Sequence, residues 1–124
     1  MGSGVALAIK TKWPEAFDAY RSHKQSAKNL GKVQFVNIDS NLYVGNCWTQ
    51  EFFGKDGRVY ADIDAVKKAL ITCFEFCEDY ELELKSPKIA AGLAGLDWDT
   101  QVAPIFASLE ECFSDVVVKI YVID

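Results

Sequence analysis

Residues 87–98 read Pro87-Lys88-Ile89-Ala90-Ala91-Gly92-Leu93-Ala94-Gly95-Leu96-Asp97-Trp98. An apolar strand pattern enters from Leu82 to Ile89. A run of small and apolar residues follows, with no charge between Ile89 and Asp97. A helical pattern then starts past Trp98 and covers roughly 100–113, with Val102, Ile105, Phe106 and Leu109 as its apolar side. Pro104 is incompatible with a helix interior, so it belongs to the first turn of that helix. The chain closes on Val116 to Ile123, apolar along nearly its whole length, which predicts a strand buried on both faces. Strand, small-residue turn, helix and strand in that order make a unit of a sheet covered by helices.

Upstream, the pattern continues. Ile63, Val66, Leu70, Phe74 and Cys77 repeat at three- and four-residue steps, which predicts one long helix from about Asp62 to Asp79 with a continuous buried stripe. Residues 33–38 and Leu42 to Trp48 are rich in apolar and β-branched types, and Asp39-Ser40-Asn41 between them has turn chemistry; two adjacent strands are expected. Pro14 suits the first turn of a helix marked by Phe17 and Tyr20 and closed by Gly31. At the start, Gly2-Ser3-Gly4 leads into Val5-Ala6-Leu7-Ala8-Ile9-Lys10, a short loop entering a helix, while residues 51–60 read as an exposed loop. The fold class is α/β in one domain spanning 1–124. No internal repeat or low-complexity stretch interrupts it.

Two places therefore combine small residues with a helix entrance: Gly2 to Ala6, and Ala90 to Gly95. The first turn of a helix offers unpaired N–H groups and a partial positive charge. Glycine and alanine let an anion approach that backbone, and two such loops side by side could hold the two phosphates of a diphosphate. Either loop alone is more often a plain turn. Neither GxGxxG nor GxxxxGK[ST] occurs, which weighs against a dinucleotide fold or a P-loop.

Composition narrows the partners. The net charge is −5, with no basic stripe to follow a nucleic-acid backbone, so nucleic acid is not an expected partner. An anionic ligand must instead be met by local N–H groups. Cys47, Cys73, Cys77 and Cys112 lack the close loop pairs of a zinc framework, and His23 is the sole histidine. They read as small buried hydrophobes in a reducing cytoplasm, with no metal and no cofactor. No apolar run approaches the ~20 residues of a membrane helix, and Lys10 and Lys12 break any signal-peptide pattern. A cytoplasmic protein without a membrane partner is expected.

Four blocks taken together resemble the macro domain family: residues 1–6 with Lys12-Trp13-Pro14; Asn46-Cys47-Trp48-Thr49-Gln50; Phe53-Gly54-Lys55-Asp56-Gly57-Arg58; and residues 87–98. The likeness covers the whole chain and is nearest to the branch of ADP-ribose-1″-phosphate phosphatases found in bacteria, yeast and bacteriophages. It implies a three-layer α/β fold, a mixed sheet with helices on both faces. It also implies a ligand, ADP-ribose or ADP-ribose 1″-phosphate, and either hydrolysis of that phosphate or binding of free or protein-linked ADP-ribose without chemistry. Gly2, Ser3, Gly4, Val5 and Ala6 would form one wall around the diphosphate and distal ribose, and Ala90, Ala91, Gly92, Leu93 and Ala94 the other. Asn46, Thr49 and Gln50 would sit beside the site at a strand end; hydrogen bonding within a turn is the competing role for Asn46 and Thr49. Asp97 would be a catalytic carboxylate or a helix cap. Ala94 stands where a branch that removes ADP-ribose from glutamate has aspartate, which implies a different activity. The family carries two strands before its first glycine loop, one of them central. Their counterpart is missing here, so an N-terminally truncated, non-standard sheet and self-association are expected.

Overall fold

The computed structural model describes residues 4–21, 29–49, 62–90 and 95–121. In chain order the elements are α1 (Gly4–Lys12), α2 (Pro14–Arg21), β1 (Val33–Asp39), β2 (Leu42–Cys47), α3 (Ile63–Tyr80), β3 (Leu84–Pro87), a π-helical turn (Trp98–Val102), α4 (Ala103–Cys112) and β4 (Val118–Tyr121). The expected loop at 51–60 lies outside the described residues.

Helix α3 organises the molecule. Asp62 starts it as an N-cap, its Oδ1 accepting from the Ala65 N–H at 3.0 Å. Glu81 ends it in the left-handed region, and the Leu82 N–H closes the last turn on the Cys77 carbonyl at 2.8 Å. Val66, Leu70, Phe74 and Cys77 form the predicted stripe and join Val102, Ile105, Phe106, Leu109 and Val116 in one buried cluster. The Phe74 ring is flanked by Phe106 and Phe113, with centroids 6.1 and 5.8 Å away.

β1 and β2 form an antiparallel hairpin, with Val36 opposite Val44 and a register shift between Asn37 and Asp39 where the chain turns. The Asp39 carboxylate accepts from the Ser40 N–H at 2.7 Å, and the Asn37 amide donates to the Asp39 carbonyl at 2.9 Å. Successive strand residues point to opposite faces, and that rule assigns the layers here. Gln34 and Asn46 reach the Ala19 and Ala16 carbonyls of α2, whereas their chain neighbours Phe35 and Cys47 meet Phe76 and Cys73 of α3. So α2 and α3 cover opposite faces of the hairpin, and this end of the molecule has three layers, helix on sheet on helix.

β3 and β4 pair in parallel, Leu84 opposite Val118 and Ser86 opposite Ile120. Among the described residues these strands do not join the hairpin; there are two two-stranded sheets, one antiparallel and one parallel, both packed on α3. The expected mixture of strand senses is present, in two sheets instead of one continuous one. The expectation that the closing strand is buried on both faces is corrected. Leu84, Val118 and Ile120 turn inward onto the core, but Val117 is 53 % exposed. On the outer face Lys119 pairs with Glu83 at 3.1 Å in solvent. A nearly continuous apolar run is ambiguous here because the strand is short and its outer face is screened by one charged pair.

The helix expected at 100–113 has a different beginning. Pro104 lies in the first turn of α4, as its chemistry requires. The turn before it is widened: the Ala103 N–H reaches back to the Trp98 carbonyl, five residues away. Pro104 has no N–H for an ordinary fourth-residue bond and its ring would crowd the carbonyl four residues back, and the wider turn removes both conflicts.

Candidate functional site

Of the residues singled out from the sequence, Gly2, Ser3, Gln50, Ala91, Gly92, Leu93 and Ala94 lie outside the described residues. Gly4, Val5 and Ala6 form the first turn of α1, which packs on α2. The remaining four have defined surroundings.

Ala90 leaves the β3 segment in the left-handed region at φ 64°, and Gly95 returns at φ 95°. The Leu96 N–H donates to the Ala90 carbonyl at 3.1 Å, so the described residues on either side of the small-residue run are hydrogen-bonded to each other. Ala90 and Leu96 are both buried members of the core cluster. A left-handed alanine costs roughly 1–2 kcal/mol where glycine costs little. It persists because the carbonyl bond and the buried methyl hold it from both sides.

Asp97 follows directly. Its Oδ1 accepts from the Thr100 N–H at 2.9 Å and the Thr100 hydroxyl at 3.0 Å, while its own N–H donates to Gln101 Oε1 at 2.8 Å. This is a reciprocal cap on the helix entrance. The backbone and side-chain bonds from Thr100 hold the carboxyl below its ordinary range. Asp97 is therefore ionised at neutral pH and can orient a water or take its proton, but it cannot donate one.

Asn46 is buried within β2, and its Nδ2 donates to the Ala16 carbonyl and to Gln34 Oε1, both at 3.2 Å. It pins α2 to the hairpin, a role across elements that turn chemistry does not anticipate. Thr49 is also buried, and its carbonyl accepts from the Asp62 N–H at 2.7 Å. The exit of β2 is thus tied to the first turn of α3. Thr49 is thereby bonded to the cap of α3, and the Trp98–Val102 turn that Asp97 caps also packs on α3.

Asp62 was expected as the start of the long helix and Leu96 as part of the 87–98 block, but neither was given a role at the site. An aspartate directly before an apolar-periodic run is also a cap signal. Nothing in the sequence marks the Leu96 backbone bond. Among the described residues, no three His, Cys, Asp or Glu side chains gather as a metal site, and no helix is long and apolar enough to cross a membrane.

No protein-family model matches the chain. Known proteins do resemble it. A curated relative, the DNA ADP-ribosyl glycohydrolase of Mycobacterium tuberculosis, is 31 % identical over 106 residues, which are 80 % of this chain and 28 % of that protein. The chain thus spans little more than a quarter of that relative's length. Among solved structures, a macrodomain protein from Streptomyces coelicolor is 27 % identical with a TM-score of 0.75, over 97 % of this chain and 78 % of that one. The macrodomain of Mycobacterium tuberculosis DarG is 25 % identical with a TM-score of 0.77, over 98 % of this chain and 80 % of that one.

Proposed function

The chain belongs to the macro domain family, and from that premise we propose that it binds ADP-ribose and hydrolyses ADP-ribose 1″-phosphate to ADP-ribose and inorganic phosphate. The observation that carries this reading is the hydrogen bond that brings Leu96 back to Ala90, directly before the helix entrance capped by Asp97. A stretch of Ala, Gly and Leu between those two points has small side chains that would let phosphate oxygens reach backbone N–H groups. In this reading Ala90 to Ala94 form one wall of the cleft and Gly2 to Ala6 the other, with Asn46, Thr49 and Gln50 beside them.

The reaction breaks a phosphorus–oxygen bond. Water attacks phosphorus, the ribose oxygen leaves with a proton, and the charge on the phosphoryl oxygens is met by the loop N–H groups. Most of the acceleration then comes from positioning and electrostatic stabilisation. Asp97, weakly basic because it is held ionised, suits orienting the attacking water. The small anionic substrate also fits a chain of net charge −5, which has no general attraction for polyanions.

A second reading, removal of ADP-ribose from DNA, is favoured by the name of the curated relative. One experiment separates the two. Phosphate release from ADP-ribose 1″-phosphate and ADP-ribose release from an ADP-ribosylated oligonucleotide are measured in parallel, beside calorimetric binding of ADP-ribose. The proposal expects phosphate release and binding, with little release from DNA. Release from DNA alone selects the second reading. Binding with neither turnover makes the domain a non-catalytic ADP-ribose reader, and no binding at millimolar ligand rejects all three. Asp97→Asn keeps the cap, since asparagine caps as well as aspartate; kcat should fall on the order of 10²-fold with ADP-ribose affinity kept. An unchanged kcat leaves Asp97 as a cap only.

A further inference from the structure

Of the four cysteines, two face each other. Cys47 Sγ, on the α3 side of β2, lies 3.8 Å from Cys73 Sγ on α3. We propose that Cys47 and Cys73 form a reversible disulfide when the protein meets a peroxide, tying the end of β2 to the middle of α3.

The other thiols are placed to stay out of this bond. Cys77 is one turn along α3 from Cys73, but its Sγ is directed to the Glu83 carbonyl at 3.9 Å, beside the other sheet. Cys112 is exposed at the end of α4. Bonding Cys47 to Cys73 requires the sulfurs to approach by about 2 Å, to the usual length near 2.05 Å. That is a side-chain movement between two elements already in contact.

The two thiols also have unequal roles. Cys47 is half-buried and Cys73 is buried. The hydrogen bond with Cys73 lowers the Cys47 pKa, and the same bond together with burial raises that of Cys73. Cys47, the more exposed of the two, is the sulfur that a peroxide reaches first and the one that attacks. Its thiolate displaces hydroxide from the peroxide and becomes a sulfenic acid. The Cys73 thiol then attacks that sulfur, its proton leaves with the sulfenic oxygen as water, and the S–S bond forms. Two electrons pass from the sulfur pair to one peroxide, and a thiol reductant reverses the step.

The crosslink would close a loop holding Gln50, the Phe53–Arg58 block and Thr49, so oxidation would restrain the segment beside the proposed cleft. Its test does not depend on ADP-ribose. The full chain is treated with hydrogen peroxide and followed by intact mass, thiol titration and peptide mapping. The wild type should lose about 2 Da and two of its four thiols, with a Cys47–Cys73 peptide recovered and dithiothreitol reversing the change. The oxidised protein should melt about 10–15 °C higher, as expected for closing a loop of this length. Cys47→Ser should leave Cys73 a thiol at the same dose, and Cys73→Ala should leave no intrachain link. Cys77→Ser and Cys112→Ser should crosslink like the wild type. A linkage through Cys77 overturns the proposal. So does Cys47 accumulating as sulfinic acid while Cys73 remains a thiol.

Discussion

At the level of single residues, the candidate site depends on Ala90 keeping a backbone that alanine does not favour. Its φ of 64° falls in the left-handed region, and its methyl is buried in the core. Ala90→Val adds a β-branched side chain to that conformation and overfills the space. It should destabilise the protein by roughly 2–4 kcal/mol in urea denaturation. Ala90→Gly should be close to neutral, because relief of the left-handed strain is offset by a lost buried methyl and a more flexible unfolded chain. This feature was invisible in the sequence, since alanine, unlike glycine or asparagine, signals no left-handed turn. Asp97 was legible, because an aspartate before a helical pattern announces a cap, and its titration yields a second prediction. A carboxyl whose folded pKa is depressed adds stability above its unfolded pKa and loses it as pH falls through the folded one. Thermal melts between pH 7 and pH 2 should therefore show a shallower acid decline for Asp97→Asn than for the wild type, with similar Tm at neutral pH. Parallel decline in both proteins would mean the cap does not titrate as described.

Among the elements, α3 was the most legible and is the most consequential. Its three- and four-residue spacing predicted a helix with one buried stripe, and its start and its end fall within a residue of where the pattern placed them. The helix after the small-residue loop was legible in extent but not in form. Its periodicity was clear, whereas the widened turn at Trp98–Val102 answers a local conflict at Pro104 that periodicity does not encode. Because α3 touches both sheets and, through Phe74, the two aromatic rings of the α4 region, removing that side chain should loosen everything at once. Phe74 is fully buried, and Phe74→Ala should cost about 3–5 kcal/mol. That is a large part of the roughly 5–15 kcal/mol that holds a domain together. A single, much earlier cooperative melt followed by circular dichroism is the expected outcome. Two separate transitions, one per sheet, would show that α3 does not couple them.

Across the whole molecule, the alternation of helices and strands announced the α/β class, and the three layers around the hairpin follow from side-chain alternation along β1 and β2. The division into two sheets was less legible, because strand pairing is set by contacts far apart in sequence that no local pattern records. Charge, by contrast, is read from the sequence directly and bears on which substrate the cleft serves. With a net charge of −5, the long-range interaction with a DNA backbone is expected to be repulsive. That repulsion reaches about 30 Å at 0.01 M salt and only about 8 Å at 0.15 M. Turnover of an ADP-ribosylated oligonucleotide, if any, should therefore rise as salt increases from about 0.02 to 0.2 M, because screening removes the barrier to approach. Turnover of ADP-ribose 1″-phosphate should change much less over the same range, since the substrate is small and its contacts are local. A protein that holds DNA through several cations behaves oppositely and loses about 10³–10⁵ in affinity over a comparable span. Initial rates at five salt concentrations with each substrate decide between these. A steep fall on the oligonucleotide would reveal a basic DNA-gripping surface and would move the assignment from the small phosphate ester to nucleic acid.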